Sequence, residues 1–262
     1  MGSESGLTGR LAVVTGGTRG VGAGIARAFL RAGAEVVVCA RRPPDAPVAA
    51  AGRPARFLPA DLREQAAVDA LFESVRAAHG RLDVLVNNAG GTPFLPLAEG
   101  EAARHARVLA LNLLAPLSAS LAAHRIMRTQ PSGGCIVMVG SVSGTRASPG
   151  TAAYGAAKAG LENLARTMAV EWAPAVRVNT LVLGMVRTES AHLHYGDEDG
   201  VAAVARTVLG GAAGRAVRGR RGRRLPRLRP RRLHHGGEPA RARRRRAARI
   251  PGRIQRERGA VT

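Results

Sequence analysis

The sequence predicts an α/β fold, a doubly wound parallel sheet covered by helices on both faces. Apolar runs of strand length alternate along the chain with longer segments of helical period. The runs are apolar almost throughout rather than at every second residue, the pattern of strands buried on both faces. A length of 262 residues, 45% of them hydrophobic, suffices for one substantial core and falls short of two ordinary domains with a linker.

The elements follow one another as βαβ units. RLAVVTG at 10–16 is the first strand, ended by glycine, and Val21–Arg31 the helix that follows it. AEVVVCA at 34–40 and FLPADL at 57–62 supply two more strands, with a helix over Glu64–His79 between the latter and LDVLVNNAG at 82–90. A long helix is predicted from about Glu101 to Met127, then the strand CIVMVGS at 135–141, a helix from about Ala152 to Trp172, and the strand VRVNTLVLG at 176–184. After Val208 the pattern stops. Residues 209–262 hold no Phe, Tyr or Trp, show neither the strand nor the helical period, and are expected to be a disordered Arg-rich, low-complexity tail.

Charge divides the chain at the same point. The formal net charge is +22, but residues 1–208 carry 21 basic against 16 acidic side chains, whereas 209–262 carry 19 Arg against Glu238 and Glu257. Cys39 and Cys135 are far apart, with no CxxC and no Cys/His cluster, so neither a disulfide framework nor a zinc site is expected and a reduced, cytoplasmic setting fits. His192 and His194 near Asp197, Glu198 and Asp199 read as a solvated polar lid rather than a metal site. MGSESGLTGR has no basic segment followed by an apolar run, and the longest apolar stretch, Val108 to Ala123, is interrupted by Asn112 and Pro116, so neither a signal peptide nor a membrane span is expected.

The first strand runs into Thr15-Gly16-Gly17-Thr18-Arg19-Gly20-Val21-Gly22. Gly16, Gly20 and Gly22 are spaced for a tight turn that lets backbone approach a pyrophosphate at a helix N-terminus. At the end of the second strand, where an acidic residue would bind a ribose 2′-hydroxyl, the chain has Ala40-Arg41-Arg42. With Arg19 in the glycine loop, two guanidinium groups can flank a 2′-phosphate, so NADP(H) is favoured over NAD(H).

Tyr154 and Lys158 are four residues apart on a predicted helix and therefore share a face. A tyrosine with an ordinary pKa near 10 transfers protons poorly at pH 7; closing that gap of about 3 units takes about 4 kcal/mol of phenolate stabilisation, which Lys158 and a cationic nicotinamide can supply. Ser141 ends the preceding strand, where its hydroxyl can meet a substrate oxygen as charge develops.

Together, TGGTRGVG, Asp61, Asn87-Asn88-Ala89-Gly90, Asn112, Ser141, Tyr154 and Lys158 resemble the classical short-chain dehydrogenase/reductase pattern in order and spacing, over about residues 7–208. The resemblance implies a Rossmann-type fold with Tyr154 as general acid/base, Lys158 on the nicotinamide ribose, Ser141 on the carbonyl and Asn112 holding a water in a proton relay. It implies that Asp61, with Leu62 beside it, contacts adenine, that Asn88, Ala89 and Gly90 line the cofactor cleft, and that the Gly184, Val186 and Thr188 run lies near the carboxamide. Leu183 stands where the family usually has proline. Residues between Met185 and Thr207 fall where the family carries its substrate loop.

The resemblance also implies a last helix, a last core strand and much of a homo-oligomer interface beyond residue 208, and the frame as written shows none of them. Read one base later with third bases open, 209–262 are compatible with GRLAEPSEV, AFLASD, Y(I/T)TGAS and VHGGGEPPA, the missing segments in order, and the His234-His235 pair restricts that match most. A frameshift near 209–211 is therefore expected, with a compromised interface and the strand 176–184 left as an uncovered edge. A genuine arginine-rich arm on nucleic acid is the rival, weakened by the lack of stacking aromatics, and no nucleic-acid partner is expected. The functional expectation is hydride transfer between NADP(H) and a ketone, aldehyde, 3-oxoacyl compound or secondary alcohol. A non-enzymatic nucleotide-binding or nucleic-acid-binding protein would not need Asn112, Ser141, Tyr154 and Lys158 together.

Overall fold

The computed structural model describes residues 6–184, 186–188 and 214–215. Strands β1 (Leu11–Thr15) and β2 (Glu35–Ala40) flank α1 (Gly20–Arg31); β3 (Ala49–Ala50) and β4 (Arg53–Pro54) form a small antiparallel hairpin before β5 (Arg56–Pro59). Then come α2 (Gln65–His79), β6 (Val84–Asn87), α3 (Ala102–Leu109), α4 (Ala115–Met127), β7 (Gly134–Ser141), α5 (Ala152–Glu171) and β8 (Val176–Leu183). The main sheet has the order β5-β2-β1-β6-β7-β8 with every pair parallel, the doubly wound arrangement its apolar strands predict.

Side-chain alternation along the strands divides the core into two layers. Leu11, Val13, Val37, Cys39, Leu85 and Ile136 face α2, α4 and α5, whereas Val14, Val36, Val38, Val86 and Val139 face α1 and the hairpin. The long helix expected over 101–127 is α3 and α4 joined by a π-turn over Ala110–Leu114, which inserts one residue into the helical ladder. The combined run Ala102–Met127, at mean hydropathy 1.5, is long and apolar enough to cross a membrane. Its small apolar residues Ala115, Ala119, Ala122 and Ala123 are instead buried against the sheet.

Two expectations about the C-terminal end change differently. β8 pairs only with β7, so it is the sheet's edge among the described residues, and its Leu181 and Val182 are 48% and 43% exposed. It is the strand that the lost family segments are expected to leave uncovered. The tail expected to be structureless, however, contributes β10 (Gly214–Arg215), which pairs in parallel with β9 (Val186–Arg187). The rest of 209–262 lies outside the described residues, as do Met185 and the histidines and acids of the expected lid.

Candidate active site

Every predicted site residue that the structure describes sits at the C-terminal edge of the parallel sheet, where the strands release their loops. Thr15 ends β1, and Gly16, Thr18 and Arg19 form the turn into α1, whose first turn holds Gly20, Val21 and Gly22. The Thr15 hydroxyl donates to Val86 O at 3.2 Å and accepts from the backbone N–H groups of Asn88 and Ala89, each at 3.0 Å. Asn88 reaches back, its Nδ2 donating to Thr15 O at 2.9 Å and Gly16 O at 3.2 Å. These bonds stitch the glycine loop to the loop after β6.

Glycine is required here by space and by backbone angle. Gly16 has φ 60°, and a Cβ on it would lie 2.9 Å from Ala89 Cα; one on Gly22 would lie 2.2 Å from Gly16 O. Gly17 was not singled out from the sequence, yet a Cβ there would meet Val38 Cγ1 at 2.6 Å. Thr188, the residue after β9, comes within 3.5 Å of the Cβ position of Gly20, which brings the Gly184, Val186 and Thr188 run to the same edge. Bare backbone amides at a helix start are the cradle a dinucleotide pyrophosphate needs, so these residues fit such a cofactor.

The proton-transfer groups converge from three elements. Tyr154 and Lys158 occupy successive turns of α5, and Lys158 Nζ lies 5.5 Å from the Tyr154 ring centroid. Lys158 is only 3% exposed and donates to Val139 O at 2.7 Å, with no carboxylate bonded to it among the described residues. Burial pushes its ammonium down to about 8. It is also the chain's single lysine among 40 basic residues, a signal the sequence reading passed over, and an amine is the basic side chain whose pKa burial shifts readily.

Ser141 is the last residue of β7, and its Oγ accepts from Ser143 N at 3.2 Å, which leaves its proton to donate. The turn after it presses on α5 through two glycines. A Cβ on Gly144 would lie 2.9 Å from the Lys158 carbonyl carbon, and one on Gly155 2.8 Å from Ser143 O. Asn112 is fully buried in the π-turn. Its Oδ1 accepts from Gly91 N and its Nδ2 donates to Gly91 O and Val108 O, all at 2.9 Å. Both amide hydrogens are thus committed, leaving one lone pair of Oδ1 for a water. Gly90 joins these groups: its Cβ position lies 2.6 Å from Asn112 Oδ1 and 3.6 Å from Lys158 Nζ.

At the adenine end the structure gives the expected acidic residue a basic partner. Asp61, just past β5 and followed by buried Leu62, is held in a bidentate pair by Arg63, Nε to Oδ1 at 2.9 Å and Nη2 to Oδ2 at 2.5 Å. The Arg63 hydrogen bond, with a further pull from Arg41, holds the Asp61 carboxyl down at about 2. Arg63 was not picked out from the sequence. Arg41 and Arg42 leave the end of β2, and both are exposed, as is Arg19 on the neighbouring loop.

The family model for short chain dehydrogenase matches residues 10–198. The chain belongs to that family. An uncharacterised oxidoreductase of Mycobacterium tuberculosis is 36% identical over 189 residues, 70% of this chain and 72% of the relative. An oxidoreductase of Sarocladium schorii is 36% identical over 199 residues, 73% of this chain and 78% of its own length. The crystal structure of a putative short-chain alcohol dehydrogenase from Sinorhizobium meliloti superposes with a TM-score of 0.73 at 32% identity, covering 81% of this chain and 86% of that one. As a short-chain dehydrogenase the protein is an oxidoreductase of the alcohol/carbonyl class that uses a nicotinamide cofactor, and the cradle of Gly16, Gly22 and Gly90 is built to receive one.

Proposed function

We propose that this short-chain dehydrogenase is an NADP(H)-dependent reductase of ketones, aldehydes or 3-oxoacyl compounds that also runs in reverse on secondary alcohols. One observation carries the reading most: the chain's one lysine, buried with no acidic partner among the described residues, stands one helical turn from a tyrosine at the end of the cofactor cradle. An uncompensated cation in that place lowers the free energy of a phenolate beside it.

When bound, the nicotinamide supplies hydride to the carbonyl carbon. Tyr154 gives its phenolic proton to the carbonyl oxygen, and Lys158 stabilises the phenolate that remains until solvent returns a proton. Ser141 donates a hydrogen bond to the same oxygen as negative charge grows there. Asn112 holds the loop at Gly91 and offers its remaining lone pair to a relay water. Arg19, Arg41 and Arg42 favour a 2′-phosphate, and no carboxylate at the end of β2 repels it. Two free thiols fit a reducing, cytoplasmic setting.

The test is Tyr154→Phe, assayed for turnover and for binding of NADPH and NADH. Turnover is expected to fall by at least about a hundredfold, the scale of general acid catalysis. NADPH affinity should stay within about twofold of the parent, and NADPH should bind at least about tenfold more tightly than NADH, the effect of one charge-assisted contact. Retained turnover would sink the mechanism and favour a nucleotide-binding protein without chemistry.

A further inference from the structure

A second feature of the site is charged in a way that carbonyl reduction alone does not require. A cavity of about 310 Å³ opens beside the catalytic residues. One wall is the loop from Gly91, another the face of α3 that carries Arg104, His105 and Arg107, and a third the start of α5 at Thr151 to Ala153. The cavity adjoins the reacting groups: Asn112 bonds both backbone atoms of Gly91, and Ala153 directly precedes Tyr154.

Among the described residues the lining holds three arginines and a histidine and no carboxylate. Arg63 is already neutralised by Asp61. Arg104 and Arg107 are exposed and enter none of the ion pairs among the described residues. Three apart on one helix, they repel each other, a cost that an anion between them removes. Two further features point the same way. Ala152 and Ala153 are the first residues of a 20-residue helix, the positive end of its dipole, and Gly91 to Pro93 opposite them bring no charge of their own.

We propose that this cleft selects carbonyl substrates bearing an anion, a carboxylate or a phosphate ester, which Arg104 and Arg107 hold while the carbonyl lies at Tyr154. The carbonyl half of the proposal rests on the reductase reading above; the anion half rests on the cleft alone.

Three probes that share one 3-oxobutanoyl group separate the sources of charge: ethyl acetoacetate is neutral, acetoacetate carries a carboxylate, and acetoacetyl-CoA carries phosphates. In Arg104→Gln/Arg107→Gln, the ratio of kcat/KM for at least one anionic probe over that for the neutral ester should fall at least about tenfold. Whichever anion responds identifies the chemistry held. An equal loss for all three probes overturns the proposal, because a structural defect does not distinguish charge.

Calorimetric binding of the same probes to NADPH-loaded Tyr154→Phe protein needs no turnover. Anion affinity that drops when both arginines are replaced supports the anion site even if the parent protein reduces nothing, in which case the reductase reading fails alone. Affinity that is equal with and without the arginines, or no binding of either anion, overturns the anion site however fast the ketone is reduced.

Discussion

Lys158 shows how one residue can be costly to the fold and essential to the chemistry. Its ammonium is buried on α5 with a backbone carbonyl as its hydrogen-bond acceptor, and burial lowers its pKa from 10.5 to about 8. Below pH 8 both folded and unfolded chains carry the proton, and the folded state bears the full desolvation cost, about 3 kcal/mol at 1.36 kcal/mol per unit. Between pH 8 and 10.5 the unfolded chain binds more protons than the native one, so this cost fades as pH rises. Lys158→Met should therefore unfold several degrees higher than the parent at pH 7, lose turnover, and show a stability advantage that shrinks toward pH 10.5. Thermal melts across that range check the sign; an advantage that grows with pH would refute the assignment. Because the chain has no other lysine, a selectively labelled lysine gives one side-chain resonance whose titration reads the pKa directly.

At the scale of elements, the π-turn between α3 and α4 does what an uninterrupted helix would not. It places Asn112 where one side chain satisfies both the N–H and the C=O of Gly91, and so fixes the loop that faces Lys158. π-turns concentrate at functional sites because the inserted residue re-aims side chains at some cost in helix hydrogen bonding. Asn112→Leu leaves two backbone groups of Gly91 without partners and should cost about 2–3 kcal/mol of stability. NADPH affinity should fall with it, since Gly90 and Gly91 lose their anchor. Asn112→Asp, which keeps the acceptor for Gly91 N and loses the donor, should fall between parent and Asn112→Leu in both thermal melts and binding. Unchanged stability in Asn112→Leu would show that the loop holds itself.

For the whole molecule, the deciding feature is the edge at β8. A buried parallel sheet normally has its strands covered, and here Leu181 and Val182 face outward on the last strand, with Phe94 and Leu97 also exposed. We therefore expect the chain as written to associate heterogeneously in sedimentation, and a chain with one base shifted near codons 209–211 to form a discrete oligomer with higher activity. A monodisperse, fully active chain as written would remove the frameshift proposal. Resequencing the source DNA across that region tests it independently. The scarcity of aromatic and acidic residues in 209–262 supports it; the lack of lysine there does not, because residues 1–208 contain only Lys158.

The sequence by itself determined the parallel sheet, the glycine loop and the Tyr154–Lys158 pair. Each is written in local periodicity or short spacing: buried strands are apolar on both faces, and residues four apart share a helix face. It also raised the expectation of a bare edge at β8, because a missing strand is visible as a missing pattern. Only the tertiary structure decided which partners those residues have. Thr15 meets Asn88 and Ala89 across more than 70 positions, and Lys158 meets Val139 across 19. The π-turn, the hold of Arg63 on Asp61 and the basic cleft at Arg104 and Arg107 were equally hidden. A side chain's hydrogen bonds, desolvation and pKa depend on what folding packs against it, and no pattern along the chain encodes that neighbourhood.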